Sequence, residues 1–490
     1  MKLATTIRTA ASAAFLLSAV AILPADIFGQ TEAGGRPDSA PATVDSTVKR
    51  KVRTVSKHRA GKKTVPPKKT AADYEKAGDE LFDKKDYDDA LVAYQSAVRL
   101  NPRQLKSLYR IGWLHNEFGE YALALTALAK ANAVDPNQAV VHLETGYANS
   151  RLKKNTEAIA AFNRAIAINP KMATAYYELG SLYNDLKRYS EAEAALRNAI
   201  ANRPDYADAY EELGLSLRRL GRNSEAITAF NRSISLDPTS AASHMGLGDV
   251  YFYGNKDYKL AVAAYLNGLR YEPDNIVAAY NVGWGYNTLG NYTEALRWLG
   301  NVTKLKPDHV SALLETGYAN YKLKQTPASI AAYQSALRYQ PSNVTAHTGL
   351  GDVYYDNLKD YSLASGYYKK AVDIKADNLT TMYRLGYCYN DLKRYPEAIT
   401  ILERARQLKS DSQPVLVELA YAYKMSGRPD PARQLLQTVI QTNPDNEVAH
   451  YYLGQIFIAA GNRSGAMAEY RELQRLKSQY SQRLLDMINR

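Results

Sequence analysis

The 490-residue chain is short of several things at once, and each shortage excludes a class of protein. It has one cysteine, Cys388, so no intramolecular disulfide, no cysteine-based zinc cluster and no CxxC redox pair can form. No glycine-rich phosphate loop, HExxH helix or GxSxG elbow occurs, which removes common signatures of nucleotide, zinc-protease and serine-hydrolase chemistry. Gly-x-Gly strings such as the one at Gly246 and Gly248 follow no strand, and the adjacent carboxylates Glu211 and Glu212 imply no pocket. Tryptophan and phenylalanine are scarce, at 3 and 8 residues, while tyrosine occurs 39 times. Tyrosine suits surfaces that are half core and half binding face.

Acid is also in deficit, with 50 Asp and Glu against 62 Lys and Arg, a net charge of +12. A basic chain invites nucleic acid or an anionic surface as partner. The location of the charge decides against this for most of the chain. Residues 31–70 carry +8, and residues 71–490 only +3. Within the former, residues 49–69 (KRKVRTVSKHRAGKKTVPPKK) hold ten Lys and Arg and no acid.

Residues 1–30 have a basic start at Lys2 and Arg8 and an uncharged apolar run from about Thr9 to Leu23, the plan of a secretory signal peptide. The run falls below the ~20 residues that span a bilayer comfortably, so an uncleaved anchor is the weaker reading. No cysteine follows it, which sets aside a lipoprotein anchor. Residues 31–70, rich in Gly, Pro, Ser, Thr, Ala and Lys without apolar periodicity, are expected to be a disordered basic linker. The expected location is therefore exported, periplasmic or secreted. Membrane contact is expected only through the signal segment or the linker.

From Ala71 the chain repeats itself. Pro102, Pro136, Pro170, Pro204 and Pro238 stand 34 residues apart. With this proline numbered 32, units begin at residues 71, 105, 139, 173, 207, 241, 276, 310, 344, 379, 413 and 447. Position 8 is glycine in every unit except the eleventh, where it is Ala420. Position 20 is always small and position 24 always large, as in Ala158 and Phe162. Two antiparallel helices per unit explain this: small residues let the backbones approach and the bulky one fills the space between. Proline at 32 ends the second helix. The sixth and ninth units each carry one extra residue, placed by the pattern in the turns at 253–258 and 356–361. A final apolar stripe of Leu473, Leu476, Tyr480, Leu484 and Met487 reads as a capping helix, assigned to 479–490.

The pattern resembles the tetratricopeptide repeat (TPR) family, whose signature is W-x2-L-G-x2-Y, A-x3-F and P. The unit at 173–204 matches with Tyr176, Leu179, Gly180, Tyr183, Ala192, Leu196 and Pro204. The resemblance implies an all-α solenoid, a right-handed superhelix of twelve repeats over 71–478, with ligands bound on the concave face that the first helices line. Chaperone-binding members use Lys at position 5 and Asn at position 9 as a carboxylate clamp; here neither is present.

First-helix positions 5, 9 and 12 form one stripe. Position 5 holds Tyr109, Tyr177, Tyr280, Tyr383 and Tyr451; position 9 holds Trp113, Tyr147, Trp284, Tyr318, Tyr387 and Tyr421; position 12 holds Asn116, Asn184, Asn287 and Asn390. Rings with interleaved amides suit an extended ligand, although rings also pack between repeats. His142, His244, His347 and His450 recur at position 4 three units apart. Helices pack ~8–10 Å apart, so these side chains cannot share an ion, and they are read as rings filling the family's Trp position. The recurrence points to duplication of a three-repeat block.

No catalytic residue, metal or cofactor is expected. The reading is an exported, non-enzymatic scaffold holding a protein or peptide segment in an aromatic groove. The alternatives are a carbohydrate-binding scaffold in polysaccharide export or envelope assembly, and binding of nucleic acid or anionic polymer by the basic tail, with nucleic acid disfavoured.

Overall fold

The computed structural model describes residues 69–490. The expected signal peptide and nearly all of the linker lie outside the described residues. Among those described, every regular element is a helix and no strand occurs. The second unit shows how each repeat is built. Its helices, Leu105–Glu117 and Tyr121–Val134, are joined through Gly119, whose φ of +71° is the left-handed conformation that reverses the chain. The preceding unit's second helix, Tyr87–Leu100, stops at Asn101, which is extended at φ −133°. Pro102 then bars continuation.

Packing within the unit follows the small–large pattern. Ala158 and Phe162 are fully buried, and a methyl group added to Gly146 would lie 2.5 Å from the Phe162 ring. The same glycine-to-position-24 contact recurs at Gly78 against Tyr94, Gly214 against Phe230 and Gly351 against Tyr368. Such overpacking costs about 1–3 kcal/mol, which is why position 8 stays glycine in eleven of the twelve units.

The described residues fall into two compact units, one ending at Gly290 and the other starting at Asn291. The boundary lies inside the seventh repeat, between Ile276–Thr288 and Tyr292–Leu305. The first holds repeats one to six and the first helix of the seventh. The second holds the rest, ending in Ser481–Ile488.

Two expectations are corrected. The extra residue of the sixth and ninth repeats does not lengthen a turn. It widens the end of the first helix into a π-helical turn, Val250–Asn255 and Val353–Leu358, and the chain then leaves through left-handed Lys256 and Lys359. Nor is the terminal stripe one helix. Leu473 belongs to Arg463–Arg475, left-handed Lys477 breaks the chain, and Leu484 lies on the separate helix Ser481–Ile488.

Candidate functional site

Within each compact unit several first helices of successive repeats touch one another, and positions 5, 9 and 12 lie along one stripe of these helices. The rings at position 9 have a common seat. In the first unit Trp113 meets Tyr87 at 5.7 Å and 70°, Tyr147 meets Tyr121 at 6.3 Å and 68°, and Trp284 meets Tyr258 at 5.2 Å and 70°. In the second unit Tyr318 meets Tyr292 at 6.1 Å and 77°, Tyr387 meets Tyr361 at 5.8 Å and 64°, and Tyr421 meets Tyr395 at 6.4 Å and 69°. All six pairs are edge-to-face and 26 residues apart. Each joins position 9 to the tyrosine that opens the second helix of the preceding repeat. Such pairs contribute about 0.5–1.5 kcal/mol beyond their buried area.

A third ring from position 12 completes some of these seats: Phe82 on Trp113 at 4.9 Å, Phe252 on Trp284 at 4.8 Å and Tyr355 on Tyr387 at 5.3 Å. The rings differ in what they leave open. Trp113, Tyr147 and Trp284 are half-buried and Tyr318 is 37% exposed, whereas Tyr387 and Tyr421 are buried.

Position 5 divides the same way. Tyr109, Tyr177 and Tyr280 are half-buried, and Tyr177 leans on Tyr206 at 4.8 Å. Tyr383 and Tyr451 are buried, the latter stacked on Tyr480 at 5.1 Å. Burial pushes the Tyr109 and Tyr147 hydroxyls up to about 12, so both are neutral at physiological pH.

The position-12 asparagines are buried and serve the fold. Asn116 donates to the Glu144 carbonyl at 3.1 Å and to its carboxylate at 2.8 Å. Asn184 donates to the Glu212 carbonyl and carboxylate at 3.0 and 2.8 Å, and Asn390 to those of Glu418 at 3.0 and 2.9 Å. Each amide thus closes an otherwise costly buried acceptor on the next repeat. The expectation that these amides meet a ligand gives way to an inter-repeat clasp. Asn287 is likewise buried.

Tetratricopeptide-repeat models match residues 75–276 in five overlapping pairs and again over 391–485, with related models at 317–357 and 344–378. Together they cover most of the chain. The chain belongs to the tetratricopeptide repeat family. It is similar to a solved MamA protein, at 29% identity over 35% of this chain and 93% of that one, TM-score 0.32. It is also similar to YrrB, described as a TPR protein with an unusual peptide-binding site, at 24% identity over 39% and 97%, TM-score 0.35. A third is PilF of Pseudomonas aeruginosa, at 18% identity over 42% and 94%, TM-score 0.39.

Within the tetratricopeptide register the four histidines have one job. The Nε2 atoms of His142, His244, His347 and His450 lie 2.9, 3.1, 2.9 and 2.8 Å from the carbonyls of Pro136, Pro238, Pro341 and Pro444. Each ring pins the loop that delivers its own helix. Position 9 also carries Asp249 and Asp352, in the two π-helical repeats. Asp352 binds Arg384 at 2.5 Å and the Tyr368 hydroxyl at 2.7 Å; Arg384 also reaches Asp356 at 3.2 Å. Burial pushes the Asp352 carboxyl up, with Arg384 opposing. In the other unit Asp249 accepts from Tyr265 at 2.7 Å and pairs with Arg218 at 3.1 Å. These clusters join repeats. Among the described residues no three His, Cys, Asp or Glu converge as a metal site, and no helix is long and apolar enough to cross a membrane. Tetratricopeptide arrays mediate protein–protein interaction, and this chain is a repeat scaffold of that kind.

Proposed function

We propose that the protein is an exported, non-enzymatic scaffold that holds an extended peptide segment of a partner protein along the inner face of its first helices. The observation that supports this is the half-buried ring at position 9, braced edge-to-face by a tyrosine from the preceding repeat. A ring so held loses little freedom on binding, and this is the main cost of recruiting aromatic side chains to an interface.

The brace supplies its own control. Tyr147→Leu removes a ring from the inner face, and Tyr121→Leu removes its partner from the second helix. Both lose the same pair and should lower stability by about 1–2 kcal/mol in urea unfolding, Tyr121→Leu slightly more because its hydroxyl also accepts from Arg151 at 3.2 Å. Capture of the native partner from an envelope or secreted fraction should fall roughly tenfold for Tyr147→Leu, equivalent to ~1.4 kcal/mol, and little for Tyr121→Leu. Equal capture by the two variants overturns the groove reading. Enrichment of polysaccharide in place of protein assigns the rings to sugar stacking. Export is tested separately, by the mature N-terminus found in the native host.

A further inference from the structure

One strained backbone conformation is given to a single kind of side chain. Among the described residues, eight other than glycine have left-handed backbone, and all eight are lysine, seven of them in the turn between the two helices of a repeat. Sterics penalise any side chain there. Asparagine and aspartate, which tolerate it best, hold the position nowhere, and glycine holds it in five repeats. A strained residue that recurs without a local contact to offset it points to a role outside the fold.

In the second unit three such turns belong to successive repeats, the eighth to the tenth, at Lys324, Lys359 and Lys393. Each repeat sends its first helix out and its second back, so these turns follow one another along one edge of that unit. All three lysines are exposed, and none makes an ion pair, a side-chain hydrogen bond or a cation–π contact with another described residue. The acids around them are taken. Asp356 binds Arg384 at 3.2 Å and accepts from the Tyr321 hydroxyl at 2.6 Å, Asp360 accepts from the Leu363 amide at 2.9 Å, Glu397 pairs with Arg394 at 3.0 Å, and Asp391 is likewise engaged. Immediately before two of the lysines stand apolar side chains in water, Leu323 at 37% and Leu358 at 48% exposure. An exposed leucine followed by an unpaired cation is the composition of surfaces that lie on anionic bilayers, the ammonium at lipid phosphate and the alkyl group in the acyl boundary. A soluble polyanion would use the charge and leave the leucines wet.

We infer that the turn edge of repeats eight to ten rests on an anionic lipid surface, a contact beyond any made by the N-terminal segments. The net charge of +3 over residues 71–490 agrees in sign. The turns lie outside the stripe of position-5 and position-9 rings, so this contact stands or falls apart from the groove.

The test uses the full chain with vesicles of phosphatidylglycerol and phosphatidylcholine, against phosphatidylcholine alone. The native Cys388 is buried, so a cysteine introduced by Leu358→Cys takes up a polarity-sensitive fluorophore selectively. Its emission should shift to the blue on anionic vesicles and stay unchanged on neutral ones, whereas the same label at Thr400→Cys, on the second helix of the tenth repeat, should not respond. Lys324→Gly, Lys359→Gly and Lys393→Gly together remove three charges where glycine relieves the turn, so the variant should stay folded by circular dichroism. Its affinity for anionic vesicles should fall about a hundredfold, the loss expected for three lysines at such a surface. Leu323→Gln with Leu358→Gln should weaken binding about tenfold. No shift at position 358, an equal shift at position 400, or binding untouched by the three glycines overturns the inference. Binding that depends on the lysines and not on the leucines assigns the edge to a soluble polyanion and overturns it equally.

Discussion

His450 shows how much one side chain can carry beyond its place in a pattern. Its Nε2 lies 2.8 Å from the Pro444 carbonyl and its Nδ1 2.6 Å from the Glu469 carboxylate. Both partners accept, so a protonated ring, with a hydrogen on each nitrogen, satisfies both at once. Burial works against that charge, but Glu469 and the Pro444 carbonyl outweigh it and raise the histidine above its ordinary value. A group with a raised folded pKa contributes stability that is fully present below its unfolded value near 6.5 and is lost as pH climbs through the folded value. Urea midpoints should therefore drop as pH rises above about 6.5, and Glu469→Gln should flatten that dependence and cost about 1.5–3 kcal/mol at pH 6, the worth of a charge-assisted bond. A pH-independent wild type would refute the cationic pair. From the sequence, the three-unit spacing of the histidines rules out a shared metal site, but their bond to the proline carbonyl six residues earlier needs coordinates. The asparagines are different, because their role was readable. Asn116, Asn184, Asn287 and Asn390 are each followed 28 residues later by Glu144, Glu212, Glu315 and Glu418. An amide always matched to a carboxylate in the next repeat signals a clasp, yet the chemistry of an amide alone serves a ligand equally well.

At the level of the element, the turns inside each repeat set a conformational demand that the chain meets unevenly. The residue that reverses the chain is left-handed in every described repeat. It is glycine at 119, 221, 290, 427 and 461, and lysine at 85, 153, 187, 256, 324, 359 and 393. A side chain in this region costs about 1–2 kcal/mol, and glycine gives back part of that through its looser unfolded chain. Lys153→Gly should accordingly stabilise the first unit by roughly 0.5–1 kcal/mol. Thermal unfolding of the two chains side by side checks it, and a loss of stability would mean that Lys153 earns its place by a contact of its own. The helix pairs, their ends and the close approach at position 8 were legible because steric exclusion leaves one answer. The π-helical ends were not, since an added residue fits a longer turn or a wider helix equally well until the following contacts choose. The position-9 rings were half legible. Their spacing marks one stripe of the first helices, but the 26-residue match to a second-helix tyrosine shows that the same ring also braces the repeat interface.

For the molecule as a whole, repeats give each unit only its neighbours to lean on, so the end of the array has to be closed by something else. In nine of the earlier repeats the bulk over the position-8 glycine comes from position 24 of the same unit. At Gly454 it comes from Leu484 of the terminal helix, whose side chain would meet an added methyl at 2.5 Å. Leu484 and Ile488 are buried, Tyr480 stacks on Tyr451, and Arg463 donates to the Ile488 carbonyl at 2.6 Å. Truncation after residue 478 removes all of these contacts together. Each buried apolar side chain is worth roughly 1.5–3 kcal/mol, so losing Tyr480, Leu484 and Ile488 together matches or exceeds the ~2–5 kcal/mol margin of one repeat, and the twelfth repeat should fray while those far from it hold. Hydrogen exchange should then show lost protection over 447–475 and unchanged protection over 105–202. Leu484→Ala, which keeps the helix and removes the plug, should give the same local pattern at about 2–5 kcal/mol. Unchanged protection in the truncated chain would show that the twelfth repeat closes itself. Loss spreading evenly to the first unit would show that the repeats unfold as one cooperative body, not as neighbours in a line.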